Sequence, residues 1–360
     1  MTDPSSPSPS VSSSNAFLAP DEALHSDAPA VMESATGLLD AALAPVAEDL
    51  KSLSQSMLQL LPLESRSSQT IAAHIFAAGG KRIRPALFFL SSRVAEYKGP
   101  FQMSMAAVCE FVHTASLLHD DVVDSSTLRR NKPTANSIWG DESAVLVGDL
   151  IYSRASELMA ETGKLEIVRS FAAAIRLMSE GELLQLDNIF DSSLTEDRYL
   201  DVIHKKTAAL IAAACQAPAI LAERSAAEIA ALSEFGRAVG MTFQIVDDCL
   251  DYMRSVDEVG KPVLADLAQG KITMPLILLM RSASPADALF IRELCRREQH
   301  SDEELQRVHN LLETHRAIDL ALERAAAFSN KALSALKIFP DSPARQDLEA
   351  IVGYLSLRLN

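Results

Sequence analysis

Six aspartates stand in two groups of the same spacing. The segment LLHDDVVD carries Asp120, Asp121 and Asp124, and FQIVDDCLDY carries Asp247, Asp248 and Asp251. Both read D-D-x-x-D. Leu117, Leu118, Val122 and Val123 flank the first group, and Ile245, Val246 and Leu250 flank the second. On a helix, positions i and i+4 share a face, which pairs Asp120 with Asp124 and Asp247 with Asp251. Two carboxylates about 4 Å apart repel by about 4 kcal/mol at an effective dielectric of about 20. An apolar helix does not hold three of them without a counter-charge. Hard divalent cations supply one, and Mg²⁺ typically takes one or two carboxylates together with substrate phosphates and waters. All six aspartates are therefore candidate metal ligands. One such motif alone is more often a solvated acidic face; its repetition inside apolar runs argues against that. The D-x-D-x-D-G loop of an EF-hand is missing.

A diphosphate bridged by metal also needs cations from the chain. GGKRIRP, residues 79–85, offers glycines that let the backbone come close, with Lys81 and Arg84 to clamp phosphate oxygens. Its proline suits the first turn of a helix. Arg129 and Arg130 follow the first acidic group in LRRNKPTA, and Lys205 and Lys206 precede Thr207. Lys261 and Lys271 follow the second group in GKPVLADLAQGKIT. Each alone is more often a surface solubiliser; together they bracket both acidic helices. His113 lies seven residues before Asp120, two turns down roughly the same face. Gln244 lies one turn before Asp248, within reach of a hydrogen bond in the same cleft.

The elements that position these groups are helices. Hydrophobic residues make up 48% of the 360 and aromatics only 5%, with Ala and Leu abundant. That balance favours packed helices over sheets. No region shows sustained period-two alternation, and the pattern from Val31 to Leu357 is helical with short loops. Pro62, Pro85, Pro133, Pro218, Pro262, Pro275 and Pro340 fall mostly near expected helix boundaries. The expected organisation is a disordered Ser/Pro-rich tail over residues 1–30 and one all-α domain over 31–360.

Composition also excludes some partners. A net charge of −15 argues against a nucleic-acid groove. The four cysteines, Cys109, Cys215, Cys249 and Cys295, form no CxxC pair and read as reduced core thiols. The N-terminal stretch has neither a basic region nor an apolar core, and the first basic residue is Lys51, so a cytoplasmic location is expected. The longest apolar run, Ala208 to Ala222, is broken by Gln216 and Pro218 and is too short to span a bilayer.

GGKRIRP, HTASLLHDDVVDSSTLRRNKPTA, HKKTAAL, FQIVDDCLDY and GK…DL…GKIT, in that order, resemble the trans-isoprenyl diphosphate synthases. The likeness runs over roughly residues 35–340 and looks closest to the bacterial long-chain branch, the octaprenyl and decaprenyl diphosphate synthases. VLVGDLIYSRA and EGELLQL add to it. The resemblance implies the helical isoprenoid synthase (terpenoid synthase) fold around a central cavity, and a homodimer. It implies that Asp120, Asp121 and Asp124 bind Mg²⁺ on the allylic diphosphate, with Asp247, Asp251 and their neighbour Asp248 completing the metal site. Arg129, Lys206, Lys261 and Lys271 would contact the allylic diphosphate. Lys81, Arg84, His113 and Arg130 would hold isopentenyl diphosphate, and Thr207 and Gln244 would face the developing carbocation. Lys206 is preferred to Lys205 because the family pattern is Lys-Thr. Asn131 departs from the family's usual Gly, and Leu264-Ala265 from a common Gly-Asp pair.

Product length is also readable. Ser116 and Ala115 lie four and five residues before Asp120, about 5.4 Å below the metal site on a helix. A bulky aromatic there would plug the cavity under the growing tail; Ser and Ala leave it open. In the family, small residues here accompany products longer than farnesyl. The expectation is a product of about C40 to C50 for the ubiquinone side chain, released with peripheral membrane contact. A medium-chain synthase making geranylgeranyl diphosphate is an alternative. A class I terpene cyclase would normally lack the second D-D-x-x-D and the GGKRIRP loop. A non-catalytic partner subunit would carry damaged aspartate groups, and all six are intact.

Overall fold

Ala- and Leu-rich runs with little β-branching wind into helices almost end to end. The computed structural model describes residues 37–77, 79–130, 132–253 and 264–357. Its helices run in the order α1 (Ala47–Ser56), α2 (Arg66–Ala77), α3 (Ile83–Val94), α4 (Gln102–Val123), α5 (Ala135–Trp139), α6 (Asp141–Glu161), α7 (Leu165–Asp187), α8 (Glu196–Ile203), α9 (Ala209–Leu221), α10 (Ala226–Met253), α11 (Ala265–Ala268), α12 (Met274–Ser282), α13 (Pro285–Leu294), α14 (Asp302–Thr314), α15 (Ala317–Ala335) and α16 (Pro343–Leu357). The all-α expectation holds. The expected tail over residues 1–30 lies outside the described residues.

Two features depart from the helical reading. A minimal antiparallel hairpin pairs β1 (Leu128–Arg129) with β2 (Lys132–Pro133). Two-residue strands are too short to show alternation, so periodicity missed them. Pro218 also sits inside α9 rather than at its edge. Having no N–H, it cannot donate to the Ala214 carbonyl, so the ladder of α9 loses one bond there.

Two apolar clusters form the core. The first gathers buried side chains of α3, α4, α6 and α9, with Phe88, Phe111, Ile151 and Leu210 fully enclosed. The second packs α8, α12, α14 and α15 against the C-terminal half of α10. Helix α10 serves both: Leu232, Phe235 and Val239 enter the first cluster, and Ile245, Cys249 and Tyr252 the second. The acidic motif on α10 is thus fixed from two sides. All four cysteines are buried and unpaired. Among the described residues, no helix is long and apolar enough to cross a membrane.

Candidate active site

The acidic motifs end two long cleft helices, α4 and α10. Asp120 and Asp121 fall in the last turn of α4, with Asp124 as its C-cap, and Asp247, Asp248 and Asp251 lie in the last turns of α10. Between α4, α7 and α10 lies a cavity of about 1040 Å³. Asp120 and Asp247 both line it. So do Lys81, Arg84, His113, Ala115, Ser116, Arg129, Arg130, Lys206, Thr207 and Gln244. Residues scattered in sequence from Gly80 to Asp247 are brought to one cavity.

Each acidic motif is split by helix geometry. The middle aspartates turn inward: Asp121 is 4% exposed and Asp248 is 7% exposed. Asp121 accepts from Arg129, whose Nε and Nη2 both lie 2.8 Å from Oδ1. Burial still raises the Asp121 pKa, with Arg129 opposing. Asp248 accepts from Tyr199 OH at 2.6 Å and Gln244 Nε2 at 2.7 Å. Burial foremost, then the Asp266 charge, push it up to about 8. It lines a smaller adjoining cavity of about 180 Å³, together with Lys271, Asp266, Lys206 and Thr207. Asp251 accepts from the Asp266 backbone N–H at 3.0 Å. Asp124 is exposed at the end of α4.

Asp120 carries the electrostatic pressure of the site. Burial first, and then the Glu182 charge, raise its pKa to about 6, although Lys206 and Arg129 pull it down. A half-buried carboxylate beside two others is the donor chemistry a hard divalent cation requires, since each oxygen is a hard ligand and the cation relieves the repulsion. In donor type the residues suit such an ion, although among the described residues no three acidic side chains are gathered closely enough to hold one together.

The basic wall is built from two strained turns. Gly79 and Gly80 have φ of +66° and +156°, and Arg82 follows at +48°. Arg130, in the hairpin turn, has φ of +53°. Left-handed backbone costs a non-glycine residue about 1 kcal/mol or more, and such strain clusters at functional sites. The two turns lock together, because Arg130 Nη1 donates to the Gly79 carbonyl. A Cβ on Gly80 would lie 2.6 Å from that guanidinium. Lys132 Nζ caps the end of α2 through the Ala77 carbonyl at 3.0 Å.

His113 sits among these arginines. Burial, then the charges of Arg84, Arg130, Arg129 and Arg82, hold its pKa well below the usual histidine range. It is a neutral hydrogen-bonding group here. Burial also lowers the Arg84 pKa, and its Nε is buried without a hydrogen-bond partner among the described residues. A guanidinium with an unused donor on a cavity wall, beside further arginines, suits a multiply charged anion.

Lys206 and Thr207 stand on a π-helical turn, His204–Ala208, between α8 and α9. Such one-turn widenings often accompany functional sites. Two glycines let neighbouring helices reach this turn: a Cβ on Gly181 would lie 2.7 Å from Lys206 N, and one on Gly240 would lie 2.6 Å from Ala208 Cα. Thr207 Oγ1 donates to Gln244 Oε1 at 2.8 Å. With Gln244 on Asp248 and Asp248 on Tyr199, this makes one hydrogen-bonded chain across the cleft.

Below the acidic mouth the lining turns apolar. Ala115, Ser116, Ile175, Met178 and Phe243 line it. Ser116 folds its hydroxyl back onto the His113 carbonyl at 2.8 Å, so it presents little polarity to the cavity.

The sequence reading missed several of these groups. Arg82 was passed over between Lys81 and Arg84, and it pairs with the buried Glu110. Glu182 and Gln185 both hold Lys206. Their i, i+3 spacing in EGELLQL places them on one helix face, which was the available signal. Tyr199 carried no signal, because its partner Asp248 lies 49 positions away. Lys261 and Asn131 lie outside the described residues. Leu264, at the family's common glycine position, takes φ of +55° while fully buried, so the left-handed turn persists without the glycine.

Comparison with known proteins agrees with this geometry. The polyprenyl synthetase family model matches residues 65–312. The chain is 39% identical over 308 residues to the octaprenyl diphosphate synthase of Escherichia coli (strain K12), spanning 85% of this chain and 94% of that one. The crystal structure of a decaprenyl diphosphate synthase from Rhodobacter capsulatus superposes with a TM-score of 0.84 at 37% identity, covering 89% of this chain and 99% of that one. A polyprenyl synthase from Caulobacter crescentus CB15, complexed with calcium and isoprenyl diphosphate, gives a TM-score of 0.81 at 36% identity over 88% and 97% of the two chains.

Proposed function

Because the chain belongs to the polyprenyl synthetase family, we propose that it is the prenyltransferase whose cavity geometry matches long-chain synthesis, condensing isopentenyl diphosphate stepwise onto an allylic diphosphate. The product is a long all-trans-polyprenyl diphosphate of about C40 to C50, the range of the octaprenyl and decaprenyl relatives. One observation carries the reading: a single cavity joins Asp120 and Asp247 at its mouth to the open positions Ala115 and Ser116 below.

Asp120, Asp124 and Asp247, with Asp251, would hold the divalent cation, taken as Mg²⁺; calcium in the Caulobacter crescentus relative supports a hard ion. Bound there, the ion would offset charge on the departing diphosphate. Asp121 and Asp248 would act from behind. Asp121 aims Arg129 at the cavity, and Asp248 fixes Gln244. Arg129, Lys206 and Lys271, with Lys261, would grip the allylic diphosphate. Arg84, Arg130, Lys81 and neutral His113 would hold isopentenyl diphosphate across the cleft.

The allylic C1–O bond breaks, and the isopentenyl double bond attacks C1 from its held position. Thr207 and Gln244, joined to each other, turn oxygen dipoles toward the developing positive charge. The proton lost in forming the new double bond goes to the released diphosphate. His113 is not suited to take it, because burial and then the surrounding arginines disfavour its cationic form. The tail grows past Ser116 into the apolar part of the cavity.

We also propose a homodimer. Leu146 and Leu150, one turn apart on α6, are 61% and 48% exposed, an apolar patch that a second copy would cover. The product is assigned to ubiquinone side-chain synthesis in the cytoplasm, with peripheral membrane contact at release. The test of the activity is incorporation of labelled isopentenyl diphosphate into solvent-extractable product, with farnesyl diphosphate as primer. Incorporation should need Mg²⁺ and stop with chelator. No incorporation at any Mg²⁺ concentration would sink the reading.

A further inference from the structure

Glu182 has no part in the scheme above, yet it lines the same cavity. Its side chain is 15% exposed. One oxygen, Oε2, pairs with Lys206 Nζ at 2.5 Å. The other, Oε1, is buried without a hydrogen-bond partner among the described residues. Lys206 Nζ also donates to Gln185 Oε1 at 3.1 Å. The lysine assigned to the allylic diphosphate is therefore already held by a carboxylate.

The consequence is a competition. A diphosphate that draws Lys206 to itself takes away the only cation paired with Glu182 in the described contacts. The neutral Gln185 can lose its lysine contact at little penalty, but a shielded carboxylate cannot. Glu182 then stands uncompensated near Asp120, whose charge it already opposes. A divalent cation held at Asp120 offsets both carboxylates at once.

Resting on the diphosphate-site reading, we propose that Glu182 is a positioning residue that holds Lys206 until a divalent cation is present, and so couples diphosphate binding to cation binding. Diphosphate alone binds weakly, because its gain at Lys206 is offset by the loss at Glu182. Diphosphate with cation binds well, and by linkage the cation binds better with diphosphate. The allylic substrate is thereby gripped chiefly when the charge needed for ionisation is in place.

Calorimetric titration of inorganic pyrophosphate into the full-length protein tests this, with and without Mg²⁺ and with free concentrations corrected for the Mg²⁺–pyrophosphate complex. In the parent protein, Mg²⁺ should tighten pyrophosphate binding about tenfold or more. In Glu182→Gln, cation-free binding should tighten by about tenfold and the Mg²⁺ effect should shrink to match. Binding that is unchanged, or weakened equally with and without Mg²⁺, makes Glu182 a mere brace for Lys206 and overturns the inference. Lys206→Gln gives an independent reading should the first variant not fold. It frees Glu182 beside Asp120, so Mn²⁺ affinity without pyrophosphate, followed by electron paramagnetic resonance, should rise about fivefold. Unchanged Mn²⁺ affinity would also overturn it. If the parent protein binds no pyrophosphate even with Mg²⁺, the diphosphate-site reading itself fails and takes this inference with it.

Discussion

Gly181 of α7 lies so close to Lys206 that an added Cβ would stand 2.7 Å from the Lys206 amide nitrogen and 2.9 Å from Lys205 Cβ. The atoms in the way are mainly backbone and cannot swing aside. Gly181→Ala must push the π turn away from α7, which moves Lys206 and Thr207 together. Overpacking of this kind costs about 1–3 kcal/mol of stability. A misplacement of about 1 Å can lower catalysis about 100-fold. We expect the melting temperature to fall and kcat/KM for the allylic substrate to fall further than stability accounts for. Thermal unfolding beside steady-state kinetics separates the two.

Arg84 lines the cavity beside other arginines, and its buried Nε has no hydrogen-bond partner among the described residues. Removing a charge-assisted contact to a diphosphate costs about 1.5–3 kcal/mol. Arg84→Gln should therefore raise KM for isopentenyl diphosphate by about 10- to 100-fold and leave KM for the allylic primer within about twofold. Equal effects on both substrates would place Arg84 between the two subsites instead.

Ala115 and Ser116 line the apolar part of the cavity one turn below Asp120. Ala115→Phe or Ser116→Phe fills the path of the growing tail. Product should shorten by several isoprene units while the first condensation keeps its rate. Chromatography of the dephosphorylated alcohols reads this directly, and an unshortened product would put the floor of the cavity elsewhere.

Asp248 makes the cation-free protein sensitive to pH. Its folded pKa is raised to about 8, whereas an unfolded aspartate titrates at about 3.9. Between those values the folded state holds a proton that the unfolded state has lost. Its contribution is therefore fully present below about pH 4, declines as pH rises, and is gone above about pH 8. Asp248→Asn stays neutral throughout. With chelator present, the variant should match the parent protein near pH 4 and exceed it in stability near pH 8. Denaturant unfolding at the two pH values checks this; parallel pH dependence would show that Asp248 is ionised when folded.

Much of this site was legible in the sequence because its chemistry is carried by local spacing. The i, i+4 pairing of aspartates, the glycine-basic loop and the small residues before Asp120 needed only a helix. The inward turn of Asp121 and Asp248 was not legible, because it depends on Arg129 from the hairpin and on Tyr199 from α8. Glu182 escaped for a similar reason: its partner Lys206 arrives on a π turn that no periodicity announces. The hairpin itself was hidden by its length. What remained obscure was long-range partner choice, which packing decides.

The most direct test of the central claim is the mass spectrum of the prenyl products made by the purified protein from farnesyl diphosphate and excess isopentenyl diphosphate with Mg²⁺. A ladder of five-carbon additions ending at about C40 to C50, as in the octaprenyl and decaprenyl relatives, is the predicted result. A product that stops at geranylgeranyl length, or a cyclised hydrocarbon without diphosphate, would contradict it.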